Sequence, residues 1–256
     1  MEQQREVSRQ CPGRTRFVQD KAMIERLINQ RRRNIGSFEV GRVLPFSKRR
    51  MVGPFIFFDH MGPVNLPKGL AREADVLPHP HIGLSTVTYL FAGEIIHRDS
   101  TGVEQAILPG EMNWMIAGSG ITHSERFEQA RREGGRMHGI QSWVALPNGD
   151  EETAPAFSHH EGSDLPLHND GGVWMRLLAG EAFGLRAAVK THSPLFYAHV
   201  ALEPGARIAL SRDYPERALF LVSGAPRRMA NRSLRPRWRC SIALPRRWCK
   251  LLSRVC

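Results

Sequence analysis

Residues 78–126 read PHPHIGLSTVTYLFAGEIIHRDSTGVEQAILPGEMNWMIAGSGITHSER. Short apolar or alternating runs at 85–90, 94–99, 104–108 and 112–117 are separated by the breakers Ser100-Thr101-Gly102, Pro109-Gly110 and Gly118-Ser119-Gly120. Runs of this length between Gly, Pro and Ser clusters read as strands. Many short strands at this spacing predict an antiparallel barrel or double-sheet jelly roll. No helix long enough to cross over a parallel sheet fits inside the region, so a βαβ succession is excluded. The stretch opens on His79-x-His81 and closes on His123-x-Glu125. Side chains two apart on a strand share one face. Two such strands side by side would aim three imidazoles and one carboxylate at a single interior point.

The same texture extends outward. Upstream, 38–43 and 55–60 read as strands, as does 139–145 downstream. Residues 147–170, rich in Pro, Gly, Asp, Glu and His, read as a linker or covering loop. A second series follows at 174–179, 184–190, 196–202, 206–210 and 217–222, punctuated by Gly171-Gly172, Glu203-Pro204-Gly205 and Asp213-Tyr214-Pro215. The similar rhythm of the two halves predicts two barrels of one kind. The second lacks paired H-x-H and H-x-E strands and reads as a packing partner. After Gly224 the alternation stops and Pro and Arg dominate, which leaves that barrel short of strands and exposes an edge. The last 32 residues read either as a genuine basic tail or as the product of a shifted reading frame. A change at one point in mid-barrel favours the shifted frame, since an evolved tail would more naturally follow a completed domain.

Composition sets the outer limits. At 256 residues the chain has room for one large or two small domains. Its 41% hydrophobic and 24% charged residues are those of a globular protein. No apolar run of about 18 residues occurs, so no membrane helix is expected. The start, MEQQREVSRQ, has no hydrophobic segment after it and does not read as a secretory signal, which makes the cytoplasm the default location. The net charge of +11 is local: 225–256 hold ten Lys or Arg and no acid, leaving 26 basic and 25 acidic groups elsewhere. The basic pI therefore says little about nucleic acid binding by the folded part. Residues 1–36 form a polar, basic arm ending in Arg31-Arg32-Arg33-Asn34, with a short helix expected over 21–31. Cys11 lies in that arm, and Cys240, Cys249 and Cys256 lie in the tail, spaced unlike a zinc site. The central region owes nothing to thiols.

A lone histidine is usually structural, but two paired motifs 42 residues apart, with strands between them, favour a metal. His79, His81, His123 and Glu125 suit a borderline divalent ion such as Fe(II), with Mn, Ni or Zn as alternatives. Glu125 is both a ligand and the candidate catalytic group. The set leaves coordination positions for water, dioxygen or substrate, as a catalytic rather than a closed structural site does. His97 and Asp99, on the next predicted strand, read as supporting groups near the pocket or as turn caps. Asp59-His60 can orient a ligand imidazole or hold a loop. Phe57, Met61 and Trp114 are either pocket lining or core. His159, His160, His168, His192 and His199 show no comparable convergence. Ser124 faces away from its neighbours, so no hydrolase triad is read there, and neither a P-loop nor HExxH occurs.

The runs FIFFDHMGP (55–63), PHPHIGLSTVTYLFAGEIIHRDS (78–100) and LPGEMNWMIAGSGITHSER (108–126) resemble the pirin family, a branch of the cupin superfamily. The resemblance continues less sharply through Ser142-Trp143 to about Gly224. It implies an all-β bicupin of two jelly-roll barrels, the second incomplete. The expected division is a basic extension at 1–36, a metal-binding barrel at 37–147, a linker at 148–170, a partial barrel at 171–224 and an Arg-rich tail at 225–256. It implies one metal ion, usually iron, on His79, His81, His123 and Glu125. Some pirins resemble quercetin 2,3-dioxygenases, which cleave a flavonol with dioxygen. The expected partners are then a small aromatic substrate and O2, with no membrane and no nucleic acid. Other pirins are redox-sensitive regulators that contact partner proteins, and this remains the alternative reading.

Overall fold

The computed structural model describes residues 24–35, 38–211 and 213–224. The expectations for the tail and for most of the arm lie outside them. The elements run β1 (Arg31–Ile35), β2 (Phe38–Leu44), β3 (Phe55–Leu66), a 3-10 turn over Arg72–Ala74, β4 (Val76–His81), β5 (Leu84–Ala92), β6 (Ile95–Asp99), β7 (Glu104–Ile107), β8 (Met112–Ile116) and β9 (Ile121–Arg126). The helix α1 (Glu128–Glu133) follows, then β10 (Gly135–Ala145), β11 (Ala156–His160), β12 (Leu167–Asp170), β13 (Val173–Ala182), β14 (Leu185–Arg186) and β15 (Phe196–Leu202). Among the described residues no helix is long and apolar enough to cross a membrane.

The strands form three sheets. Seven lie in the order β1-β2-β3-β10-β5-β8-β11, four in the order β4-β9-β6-β7, and a third sheet places β12, β14 and β15 around β13. All the strand pairings are antiparallel. The architecture is all-β with two sheet domains consistent with cupin folds, but among the described residues no sheet closes on itself into a barrel. The first domain is a pair of facing sheets, and its interlayer space is where the site lies.

The seven-stranded sheet is buried on both faces, and its sequence reflects that. Leu90 packs with Ile95 and Ile107 of the four-stranded sheet and with Met61, Phe127 and Met137. Its neighbour Tyr89 points the other way, into a cluster with Val87, Met112, Trp114, Leu178 and Leu195. Strand β8, MNWMI, is buried at every position. A central strand with two covered faces loses the polar-out alternation and becomes a continuous apolar run. Gly139 on β10 lies where a Cβ would meet Tyr89 and Leu90, so its lack of a side chain lets β10 and β5 approach.

The helix is short because it has no apolar repeat to propagate it, and Gly134 ends it at φ 74°. It is tied down by charge. Asp75, whose side chain is fully buried, accepts hydrogen bonds from Arg131 (2.9 Å), the Phe127 backbone (3.1 Å) and Arg126 (3.4 Å). This clamp fixes the entry to β4, one of the two strands that carry the site. Burial alone would raise the Asp75 carboxyl, but these partners together hold it below its ordinary value.

Several expectations are corrected. In place of the helix over 21–31, residues 24–30 have no regular structure, and Arg31–Ile35 joins β2 as an edge strand. There Arg31 donates to the carbonyls of Val43 (3.1 Å) and Pro45 (2.5 Å), contacts that favour strand over helix. The segment read as a linker contains two strands, β11 paired with β8 and β12 paired with β13. The runs 206–210 and 217–222 are not strands. Of 184–190, only Leu185–Arg186 pairs. Local alternation without a neighbouring strand leaves backbone groups unpaired and does not hold a ladder.

Candidate metal centre

Strands β4 and β9 are antiparallel neighbours, with His79 directly opposite His123 in the register. A bulge between Val76 and His79 sets that register. His81 lies two residues beyond His79 on the same face. Among the described residues, the ligand nitrogens of His79, His81 and His123 form one compact group, all within 4.8 Å of one another. His81 Nε2 and His123 Nε2 are 3.1 Å apart. The His79 ring centroid is 4.5 Å from that of His123 and 4.9 Å from that of His81. His81 and His123 are buried, while His79 is half-buried, so the group opens on the His79 side.

The donor chemistry fits a transition metal. A ligating imidazole must be neutral with a free lone pair. Burial first, and then His79 nearby, holds His81 down at about 4; burial and the charges of His79, His81 and His97 push His123 well below its ordinary value. Both are neutral near pH 7. His79 Nδ1 lies 2.9 Å from the carbonyl of Leu77. A carbonyl only accepts, so Nδ1 carries a proton, which leaves Nε2 as the nitrogen that can ligate.

Glu125 is outside the compact group of three. It follows His123 by two residues on β9, on the same face, and is buried. Burial raises its carboxyl to about 7, against a smaller lowering by hydrogen bonding with Thr88. Thr88 Oγ1 itself donates to Gln141 Oε1 at 2.7 Å, within the facing sheet.

The wall over His81 is aromatic. Trp143 meets His81 edge-on at 5.0 Å, and Phe57 stacks on Trp143 at 4.0 Å. The Arg42 guanidinium lies 4.4 Å over Phe57 while pairing with Asp59 through two hydrogen bonds of 2.9 and 2.8 Å. A cleft of about 350 Å³ reaches His81 from the rim formed by Pro80, Ile82, Ser100, Ile121 and Thr122.

The structure sorts the other sequence candidates. His97 and Asp99 do come to the site: His97 Nδ1 is 3.4 Å from His123 Nδ1, and His97 Nε2 is 2.9 Å from Asp99 Oδ2. Phe57 belongs to the wall, but Met61 and Trp114 are core. Asp59 and His60 orient no ligand imidazole. Asp59 holds Arg42, and His60 Nε2 lies 2.8 Å from His138 Nε2. His199 joins that second, non-ligand neighbourhood through Phe91, whose ring lies 4.8 Å from that of His138 and 5.0 Å from that of His199. Sequence reasoning missed Trp143, Thr88 and Gln141 as site residues. Their signal was alternation: on β5 and β10, Thr88, Gln141 and Trp143 all fall on the face opposite Tyr89 and Ser142.

The profile of the Pirin family matches residues 37–144. A pirin-like protein of Caulobacter vibrioides is 59% identical over 203 residues, covering 79% of this chain and 70% of its own. Two crystal structures of quercetin 2,3-dioxygenase from Acinetobacter baumannii align with TM-scores of 0.64 and 0.65 at 37% and 31% identity. The alignments cover 69% and 72% of this chain but only 57% and 65% of those proteins, so the chain spans less than two thirds of their length. The motifs, the three-histidine group between two sheets and these relationships agree: the chain belongs to the pirin family, within the cupin superfamily.

Proposed function

We propose that this protein is a metal-dependent oxidoreductase of the quercetin 2,3-dioxygenase type, acting on a flavonol-like or enolic aromatic substrate with O2. The carrying observation is the packing of three imidazole donors within 4.8 Å of one another, with the Trp143 ring against His81. Likeness to the Acinetobacter baumannii quercetin 2,3-dioxygenases supports the same reading. His79, His81, His123 and Glu125 are the proposed ligands, and Fe(II) is the proposed ion. The first unit, 37–147, holds the centre, and 171–224 is a second, partial cupin unit packed against it.

When bound, the ion would act as a Lewis acid that lowers the pKa of a coordinated hydroxyl and orients substrate and oxygen. The chain's own residues supply the rest. His79, through Leu77, presents a fixed lone pair on the open side. Trp143, backed by Phe57, offers a flat apolar surface on which an aromatic ring stacks. Glu125 is the proposed catalytic group, since a carboxyl raised to about 7 by burial can hold a substrate hydroxyl proton. No Ser or Cys nucleophile is required.

The test is elemental analysis of anaerobically purified protein against a folded His79→Ala/His81→Ala variant, followed by oxygen uptake with a flavonol. The reading expects about one transition-metal ion per chain, lost in the variant, and metal-dependent uptake. Metal without turnover would favour the regulatory alternative, and a well-folded parent that takes up no metal would end both.

A further inference from the structure

The groups behind His123 form a directed chain. Asp99 Oδ1 accepts from the Thr101 backbone (2.8 Å), the Thr101 hydroxyl (2.6 Å) and the Val103 backbone (3.3 Å). Its other oxygen, Oδ2, faces His97 Nε2 at 2.9 Å. The far side of the His97 ring, Nδ1, faces His123 Nδ1 at 3.4 Å. The imidazole is held in that plane by Phe157, stacked at 4.5 Å and 24°. His97 is buried, and the Asp99 side chain is fully so.

The direction of proton donation along this chain is fixed at one end. Asp99 Oδ1 takes three hydrogen bonds, from the Thr101 backbone, the Thr101 hydroxyl and the Val103 backbone, as the acceptor oxygen of an ionised carboxylate does. His97 must then carry its proton on Nε2. A neutral ring has one N–H, so His97 Nδ1 is an acceptor. The partner facing it, His123 Nδ1, must be the donor, which leaves a lone pair on His123 Nε2, the nitrogen 3.1 Å from His81 Nε2.

We infer that Asp99 and His97 are positioning residues whose hydrogen-bond relay sets the tautomer of His123 and holds its Nε2 ready for a cation. His79 reaches the same state by a different device, the Leu77 carbonyl. The consequence for a ligand rests on the metal reading above; the tautomer assignment does not.

The discriminating substitution is Asp99→Asn, which keeps shape and removes one acceptor. The amide oxygen is required at the Oδ1 position by the three donors from Thr101 and Val103. The NH2 group therefore faces His97 Nε2, which must become an acceptor. Each proton in the relay reverses, and His123 is left with N–H on Nε2, where the lone pair was needed. Loss of function by a wrong histidine tautomer after an Asp-to-Asn change is known chemistry in a catalytic triad. His97→Gln restores the original direction, because its amide oxygen accepts from His123 while its NH2 donates to Asp99.

The experiment is two-bond 1H–15N correlation NMR of the full-length, metal-free protein, labelled on histidine, with Zn2+ titration as a separate readout. In the parent and in His97→Gln, His123 is expected with Nδ1 protonated and Nε2 unprotonated. In Asp99→Asn the two nitrogens exchange roles, with dispersion of the backbone spectrum retained. Zn2+ affinity is expected to fall about 10–100-fold in Asp99→Asn and to stay near the parent value in His97→Gln. A parent in which His123 carries its proton on Nε2 would overturn the inference, as would an Asp99→Asn variant whose His123 keeps the parental tautomer. If Asp99→Asn does not fold, His97→Phe serves in its place, and a parental His123 tautomer there overturns the inference equally. A parent with the expected tautomers that binds no Zn2+ or Fe2+ leaves the relay standing and removes the metal reading instead.

Discussion

Trp143 stands edge-on to His81, with ring centroids 5.0 Å apart and planes at 73°. One strand from the seven-stranded sheet thereby meets one strand from the four-stranded sheet at the mouth of the histidine group. The contact places Trp143 beside the histidine group, where the proposed function has it line the substrate site. Trp143→Ala is expected to leave metal content unchanged and to raise KM for a flavonol. Loss of an aromatic contact worth about 0.5–1.5 kcal/mol gives a change of up to roughly tenfold. Steady-state oxygen uptake beside elemental analysis checks both halves. A variant that loses its metal would show that the ring holds His81 in place instead.

His81→Ala removes a buried donor from the group of three. Metal affinity is expected to fall by more than the roughly 10–100-fold typical of supporting residues. A bound ion also stabilises the fold, by about 2.7 kcal/mol when free ion is 100-fold above its Kd. Fe2+ or Ni2+ at that excess is therefore expected to raise the parent melting temperature and to leave the variant unmoved in calorimetry.

Arg42 and Asp59 illustrate a different demand. The Asp59 side chain is fully buried, and Arg42 supplies both of its partners across β2 and β3. Arg42→Met would strand a buried carboxylate and is expected to destabilise the protein by about 3–5 kcal/mol. The double change Arg42→Met/Asp59→Leu is expected to recover much of that loss. Urea unfolding of the three proteins measures it directly.

The pH response is expected to have two stages. His138 and His199, near the contact between the two sheet domains, are held down to about 4, chiefly by burial. A histidine whose folded pKa lies below its unfolded value binds its proton in the unfolded chain first, so stability falls as pH drops below about 6.5 and levels off below about 4. Asp75 acts lower. Its folded pKa is depressed, so its contribution is complete above about 4 and is lost as pH falls further. Melting temperature against pH should therefore decline first through the histidine range. His138→Asn is expected to make that limb shallower, since His81, His123 and His199 share it, and Asp75→Asn to weaken the lower one, which Asp99 shares.

Much of this protein was legible locally. The paired motifs, the breakers and the short alternating runs determined an antiparallel all-β chain and brought His79, His81 and His123 to one point. Side-chain period and turn chemistry act within a few residues, so a single sequence carries them. Even the relay left a trace, since His97-x-Asp99 is another pair that shares a face.

What needed the tertiary structure were choices between faces and between partners. Trp114 and Trp143 are both tryptophans on central strands, yet one is core and the other lines the site. With both faces of the seven-stranded sheet covered, hydrophobicity no longer says which face looks inward. The runs at 206–210 and 217–222 alternate as well as those that pair, but β-structure is decided by a neighbour's hydrogen bonds, and there they have none as strands. The His60–His138 contact lies beside an irregularity between Met137 and Gly139 where β10 shifts against β3. One extra residue in a ladder re-aims a side chain without altering the local pattern. The sequence by itself thus determined that the three histidines would converge, while Glu125, expected with them, stands outside their group. Only the packing of sheet on sheet decided which side chains stand behind them, because that depends on register across strands far apart in the chain.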